Sequence, residues 1–486
     1  MTDKEEMRDE MMKARKVLEQ AHSAWQRMAP FRERRRRYVR YTYGDQWSDL
    51  AKDRFGNTVT EGELFSAGGR RPPLSNNLIR RMVKAVVGRY RMGEEEQRGE
   101  DAGSGIGRWR AFNSLDELDA RTLEEFLISG MAVHRVWGEH RQSGTGVWVD
   151  MVSPERFFVN AVSDPRATDM ELVGRLVDMG LPEVVMRFSH GDRRRAVELR
   201  ELYSAMEGEA SVFATDSVSQ GGEAFFHGRQ GRCRVIEVWT LESREALRCH
   251  DPLDATFSVV AVEREEGIRR LNSRRRRKKL PQVVTRWELV TAWHCRMMTP
   301  DGTVLDEFDS PLAGGAHPFA VKLYPLVDGE VHSLVEDVID QQRYVNRLIT
   351  MMDTMMSTAA KGVLLYPTGC KPEGQSWQKV ADCWADPGGV LPYRPYQGTE
   401  PHQVVTPVSD FGAREMLTTQ IGLFEDVSGV SEALMGKSVS GVVGVERYES
   451  EVRNASVAVN DLLKTFKDFT MVRDRLIGGV PGQMNF

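Results

Sequence analysis

Cysteine and histidine are both scarce in this 486-residue chain, and their scarcity limits its chemistry. Five cysteines (Cys233, Cys249, Cys295, Cys370 and Cys383) are odd in number, widely spaced and without a C-x-x-C pair. A disulfide scaffold and a thiolate zinc site are therefore not expected, and a reducing cytoplasm is the simple reading. Ten histidines are scattered with no H-x-x-x-H or H-E-x-x-H pair, so no helical metal face is expected. No G-x-S-x-G elbow exposes a nucleophilic serine. No run of about 18 apolar residues appears, and the opening MTDKEEMRDE has no apolar signal region, so neither secretion nor membrane spanning is expected. A net charge of −5 excludes a uniformly basic nucleic-acid coat, and any contact with nucleic acid must be local.

What remains is a globular composition, 41% hydrophobic and 28% charged, able to bury a sizeable core. At about 150 residues per domain the length fits roughly three domains. Residues 5–40 read as helix, with Met11, Leu18, Ala21 and Trp25 at helical spacing, ending in the run Arg34, Arg35, Arg36 and Arg37. Such a run is ordinarily a solvated face and less often a phosphate-binding patch. Ser75 or Asn76 is placed to cap a helix whose apolar stripe is Leu78, Ile79, Met82, Val83, Val86 and Val87. Leu115–Ser129 reads as an amphipathic helix.

The texture then turns to short β-rich runs at 132–137, 146–152 and 156–159. Leu172–Met179 reads as a strand, Leu181–Phe188 as a helix, and 204–231 as a loop. Segments 235–241, 285–298 and 302–308 resemble strands of an antiparallel sheet. The basic run Arg274, Arg275, Arg276, Arg277, Lys278 and Lys279 lies between the first two and reads as an exposed hairpin tip, with DNA binding as the functional alternative.

The last third is helical. From Ser333 to Lys361 no Gly or Pro interrupts the pattern, and Val335, Val338, Gln342, Val345, Ile349, Met352, Met356 and Ala359 form a narrow seam that needs a partner helix. Gly362 to Ser409 reads as a small αβ insertion, and a second helix runs from Phe411 to about Val427. A third begins near Val445, with Val445, Tyr448, Val452, Ala455, Val459, Leu462, Phe466, Phe469 and Arg473 in the same spacing. At roughly 1.5 Å per residue it would exceed about 40 Å, a length that ordinarily packs in bundles or between subunits.

Catalytic motifs are weak. Ser431–Ser438 approaches a P-loop, but Ser431 replaces the first glycine and the preceding segment is helical, so a flexible loop is the better reading. Glu94, Glu95 and Glu96, with Asp306, Glu307 and Asp309, could hold Mg²⁺ for a nuclease, although carboxylates in polar, turn-rich settings are ordinarily just solvated. No catalytic residue, cofactor or metal site is assigned.

In order and spacing, several stretches resemble the portal (head-to-tail connector) proteins of tailed bacteriophages, of the short-tailed-phage type. Tyr43-Gly44-Asp45-Gln46-Trp47 followed by Arg71-Pro72-Pro73-Leu74-Ser75-Asn76-Asn77-Leu78-Ile79 is similar to the family's N-terminal pattern. Val152–Val159, with Asp164-Pro165 and Glu171–Gly174, resembles its wing. His317-Pro318-Phe319, Tyr324-Pro325 and Asp328-Gly329, leading into Val338–Gln342 and Asn346, resemble its entry into the stem. Ser440-Gly441 before a long helix resembles its tunnel loop and channel helix.

The resemblance implies a multidomain α+β portal fold. Its parts would be an N-terminal helix (1–40), a mixed α/β wing (41–332), a stem helix (333–361), a small αβ clip (362–409), a second stem helix (410–433), a tunnel loop (434–444), and a channel helix with a short tail (445–486). The crown would be short or absent. It implies a non-enzymatic ring of about twelve subunits at one capsid vertex of the virion, assembled in the host bacterial cytoplasm. Implied partners are double-stranded DNA passing through the channel, the terminase large subunit, a tail adaptor or head completion protein, and the major capsid and scaffolding proteins, with no membrane.

Gly436, Lys437, Ser438, Ser440, Gly441 and Gly444 would form a pliable loop touching DNA without gripping it, since Lys437 is its one charge before Glu446. Roughly twelve copies at −5 give about −60, which suits a pore that must let DNA slide. Trp377, Trp384, Tyr393 and Tyr396 are candidate clip contacts or, equally, the filling of the clip's own core. The two basic runs would face DNA, capsid or solvent. The competing readings are an Mg-dependent DNA-processing enzyme (a nuclease) and a monomeric scaffold protein.

Overall fold

The computed structural model describes residues 3–66, 72–101, 105–141, 144–209, 223–361, 363–385, 389–404, 412–430 and 457–480. It is mixed α+β, 48% helical and 25% strand, with no barrel among the described residues. The chain divides into two compact units, one of Met1–Arg37, Val86–Leu334 and Val459–Phe486, the other of Tyr38–Ala85 and Val335–Ala458. The expected wing, 41–332, coincides with neither.

The first unit holds helices α1 (Asp3–Arg27), α5 (Gly105–Phe112), α6 (Leu115–Ser129), α7 (Leu181–Phe188), α8 (Arg193–Glu209), α9 (Glu265–Arg277) and most of α13 (Val457–Gly479). Helices α2 (Ala29–Tyr43) and α4 (Leu78–Asp101) each begin in one unit and end in the other. The first unit's main sheet has the order β10-β9-β7-β6-β5, with β8 pairing β7, and every pairing is antiparallel. These strands are β5 (Phe157–Val159), β6 (Leu172–Met179), β7 (Cys233–Asp251), β8 (Thr256–Ala261), β9 (Val284–Met298) and β10 (Val304–Asp309). A second sheet, β11-β3-β4, joins β3 (Met131–Arg141) to β4 (Gly144–Met151) and β11 (Phe319–Leu323), and β12 (Leu326–Val327) pairs with β13 (Glu330–Val331).

Side chains alternate across a strand, so each sheet face collects its own core. One cluster joins Phe157, Val173, Val235 and Trp239 to Val133, Trp137 and Phe319 of the smaller sheet. On the other face of the main sheet, α1 lays Ala14, Leu18, Ala21 and Ala24 over Phe158, Leu176, Phe225 and Ile236. Gly130 and Gly174 have no room for a side chain. A Cβ on Gly130, at φ +77°, would overlap the His332 carbonyl oxygen, and one on Gly174 would enter the Phe158 ring.

Between the sheets lies a buried ionic triad. Glu237 accepts from Arg135 Nε at 2.9 Å, Arg175 Nε at 2.8 Å and Trp239 Nε1 at 3.0 Å. Burial opposes ionisation, but Arg135 and Arg175 together overcome it and hold the Glu237 carboxyl well below the usual range.

The second unit contains β1 (Leu50–Lys52), β2 (Thr58–Thr60), α3 (Glu61–Phe65), α10 (Leu334–Lys361), β14 (Val363–Leu365), α11 (Trp377–Ala385), β15 (His402–Val404) and α12 (Ala413–Ser428). α3 starts at a capping box in which the Thr60 hydroxyl accepts from Glu63 N and the Glu63 carboxylate accepts from Thr60 N. β14 pairs antiparallel with β15.

Three local expectations need correction. The basic run at 274–279 is no hairpin tip but the last turn of α9 and the residues after it. Ile268, Asn272 and Arg275 share one helical face that seats on the sheet, and cations at a helix C-terminus are favoured by its dipole. The helix at 78 is not capped by Ser75 or Asn76. Asn77, the residue just before the helix, caps it instead, its Oδ1 accepting from Arg80 N at 2.9 Å. The expected loop at 204–231 begins as helix, since α8 continues to Glu209.

Candidate functional site

In the second unit, three of the stretches that carry the portal resemblance meet. On α10, Gln342, Asn346 and Thr350 follow one another at four-residue intervals and so share a face. Residues 74–79 lie along that face. Leu74 N donates to Thr350 Oγ1 at 3.0 Å, Asn76 N to Asn346 Oδ1 at 2.9 Å, and Leu78 N to Gln342 Oε1 at 2.8 Å. Gln342 Nε2 returns a bond to the Asn76 carbonyl at 2.7 Å, and Asn346 Nδ2 reaches Gln46 Oε1 at 2.6 Å. Gln342, Asn346 and Gln46 are all buried, so these groups have no bulk water to replace a lost partner. Arg343 and Arg347, facing away from the ladder, both pair with buried Glu61.

The seam expected along α10 is thus filled within the chain for about its first three turns, with Val335, Val338, Gln342 and Val345 all buried. Further along it, Ile349 and Met352 are half-buried and Met356 is exposed, as are Met351 and Met355 beside the seam and Met416, Leu423 and Val427 on α12. The third helix also departs from expectation. Within α13, Val459, Phe466, Phe469 and Arg473 are buried by their own polypeptide rather than left for a neighbouring copy. Phe466 packs against Tyr90 and Phe126, Phe469 against His134, and Arg473 pairs with Asp119. Ile477 joins Leu115, Val136 and Val149. An amphipathic seam records that something covers it, and here the cover is α6 and β3. Residues 445–456, the expected start of this helix, lie outside the described residues, as does the whole 434–444 loop.

The other candidate residues fall in varied settings. Arg35 is bidentate to Glu125 at 2.7 Å and also reaches Glu155, which Arg36 shares. Arg34 lies 3.6 Å from Glu330, and Arg37 has an intrachain partner of its own. This first basic run is thus committed within the chain. Arg275 is bidentate to Asp251, whereas Arg274, Arg276, Arg277, Lys278 and Lys279 are exposed. In the expected clip, Trp377, Tyr393 and Tyr396 are exposed and Trp384 is half-buried. Trp377 meets Tyr366 edge-on, and Tyr396 covers Gly369 so closely that a Cβ there would enter its ring.

The carboxylates considered for Mg²⁺ are partly engaged. Glu94 pairs with Arg110, Asp309 with Arg244 and His294, and Asp306 lies 3.8 Å from His190. Among the described residues no three metal-ligating side chains cluster. Among them, too, no helix is long and apolar enough to cross a membrane.

A mixed α+β chain, in which three of the family-like stretches converge on α10, is consistent with a phage structural protein of the portal class. The family model for Phage P22-like portal protein matches residues 119–463, and the chain belongs to that family. Membership brings a portal role in a tailed phage of the short-tailed type, at the capsid vertex, in a family that is structural rather than enzymatic. No curated protein matches the chain.

Proposed function

We propose that copies of this chain assemble into a ring of about twelve that serves as the DNA conduit of the capsid vertex. The observation that carries this reading, beyond family membership, is the pair of uncovered apolar faces on the stem helices. Met351, Met355 and Met356 on α10 and Met416, Leu423 and Val427 on α12 are exposed in the single chain. A lateral neighbour removes such surface from water, and methionine adapts to imperfect register between copies.

In this reading the loop at 434–444 touches the moving duplex through Gly436, Lys437, Ser438, Ser440, Gly441 and Gly444. Trp377, Trp384, Tyr393 and Tyr396 contact the terminase large subunit or the tail adaptor. DNA enters during packaging, is retained and leaves on ejection, while ATP hydrolysis belongs to a separate motor. Capsid and scaffolding proteins surround the ring. A monomeric scaffold remains the second reading, favoured by the self-covered seam of α13, but it leaves the stem methionines without a role.

Sedimentation velocity and negative-stain microscopy of the purified protein test this. Rings are expected for the natural chain, and the double variant Met355→Glu, Val427→Glu should stay folded and monomeric. A natural chain that remains a compact monomer at every concentration, with or without scaffolding protein, would overturn the assembly.

A further inference from the structure

The basic face of α9 has no part in the ring described above. Residues 264–286 carry ten cations against two carboxylates, net +8, so the rest of the chain carries −13 of the total −5. This concentration of charge sits on a firmly attached element. Asn272 exchanges two hydrogen bonds with the Val283 backbone, at 2.9 and 2.8 Å. Arg275 grips Asp251 with both terminal nitrogens, at 2.6 and 2.7 Å. Ile268 joins the cluster of Leu247, Cys249 and Val283. These anchors turn Arg274, Arg276, Arg277, Lys278 and Lys279 outward, exposed and with no carboxylate partner among the described residues.

The helix dipole explains cations within the last turn, but not Lys278 and Lys279 beyond it. The end of α9 is a Schellman motif, in which Leu280 N donates to the Arg275 carbonyl and Lys279 N to the Arg276 carbonyl. Lys279 therefore occupies the left-handed position, φ +55°, where glycine is the favoured residue. A cation thus occupies a position where glycine would fold better.

We propose that this outer face of α9 and the turn behind it bind the phosphate backbone of a double-stranded nucleic acid. Beside the cations, the helix and its turn expose Glu266, Gly267, Ser273 and, at 40% and 42%, the aliphatic Leu271 and Leu280, with no aromatic side chain of the kind that dominates protein interfaces. Phe257, Val259 and Val284 project from the opposite side of the sheet, whereas the exposed Trp287 and Leu289 stand on the same face of the sheet as α9, Trp287 opposite Leu247. A guanidinium-rich helix face on which cations outnumber apolar side chains is suited to sequence-independent phosphate contact.

The test measures binding of the full-length protein to a duplex of about 30 base pairs across salt concentration. Five phosphate contacts contribute about −4.5 to the slope of log affinity against log salt, equivalent to about 500-fold between roughly 50 and 200 mM. The triple variant Arg274→Ala, Arg276→Ala, Arg277→Ala should lose about 2.7 of that slope, whatever other DNA-contacting surfaces contribute. Lys279→Gly should raise the thermal midpoint and still flatten the slope by about 0.9, a pairing that a purely structural lysine does not produce. An unchanged slope in the triple variant overturns the assignment. So does loss of poly-glutamate binding with DNA binding intact, which would assign the face to an acidic protein. The measurement needs no ring, so a monomer that binds DNA here and a ring that does not are separate outcomes.

Discussion

Replacing Gln342 with leucine removes the centre of the ladder on α10 while nearly preserving its volume. Gln342 accepts from Leu78 N and, at 3.3 Å, from Ile79 N, and it donates to the Asn76 carbonyl and to Asn346 Oδ1 at 3.0 Å. Leu78 N keeps a bond to the Asn76 carbonyl at 2.9 Å, but Ile79 N is left facing an apolar side chain in a fully buried position. With Leu78 N still partnered, three neutral hydrogen bonds are lost outright, and at about 0.5–1.5 kcal/mol each they put the cost near 3 kcal/mol. Because the damage is local, hydrogen exchange is the appropriate assay. Exchange at about 74–82 should speed up by about a hundredfold, the equivalent of about 3 kcal/mol.

Gln342→Glu should be no milder, since it turns the donor facing Asn76 and Asn346 into an acceptor. Thr350→Val removes only the last rung, the 3.0 Å bond from Leu74 N, and should cost about 1 kcal/mol. If Gln342→Leu left exchange at 74–82 within about twofold of the natural chain, the ladder would not be what holds this strap.

Two further outcomes follow from buried charge. Glu237→Gln strands the Arg135 and Arg175 guanidinia between two sheets and should lower unfolding stability by about 3–5 kcal/mol; an apolar replacement of all three residues should recover much of that loss in the same denaturant titration. His134 is fully buried, bonded through Nε2 to Thr122 Oγ1 at 2.7 Å, and burial with the nearby Arg473 charge pushes its pKa well below the ordinary value. The unfolded chain then takes up a proton that the folded one refuses, so stability should fall as pH drops below about 6.5, by up to about 1.4 kcal/mol per pH unit. His134→Gln should flatten that slope between roughly pH 6.5 and 5, and a slope that survives unchanged would place the titration elsewhere.

The extent of many elements was legible in the sequence because it is decided locally. α6, β6 and α7 lie where hydrophobic periodicity and the bounding Gly and Pro residues place them. α10 runs to Lys361 because nothing in it breaks a helix. The family likeness, too, was legible from short stretches in their order. Only the tertiary structure decided what each face meets. Gln342 caps a helix 264 residues away, and Arg35 and Arg36 are spent on Glu125 and Glu155 rather than on solvent or phosphate. The seam of α13, read from its spacing as an invitation to other copies, is filled by α6 and β3. Periodicity specifies that a face is covered. The identity of the cover depends on long-range packing, which spacing along one segment does not encode.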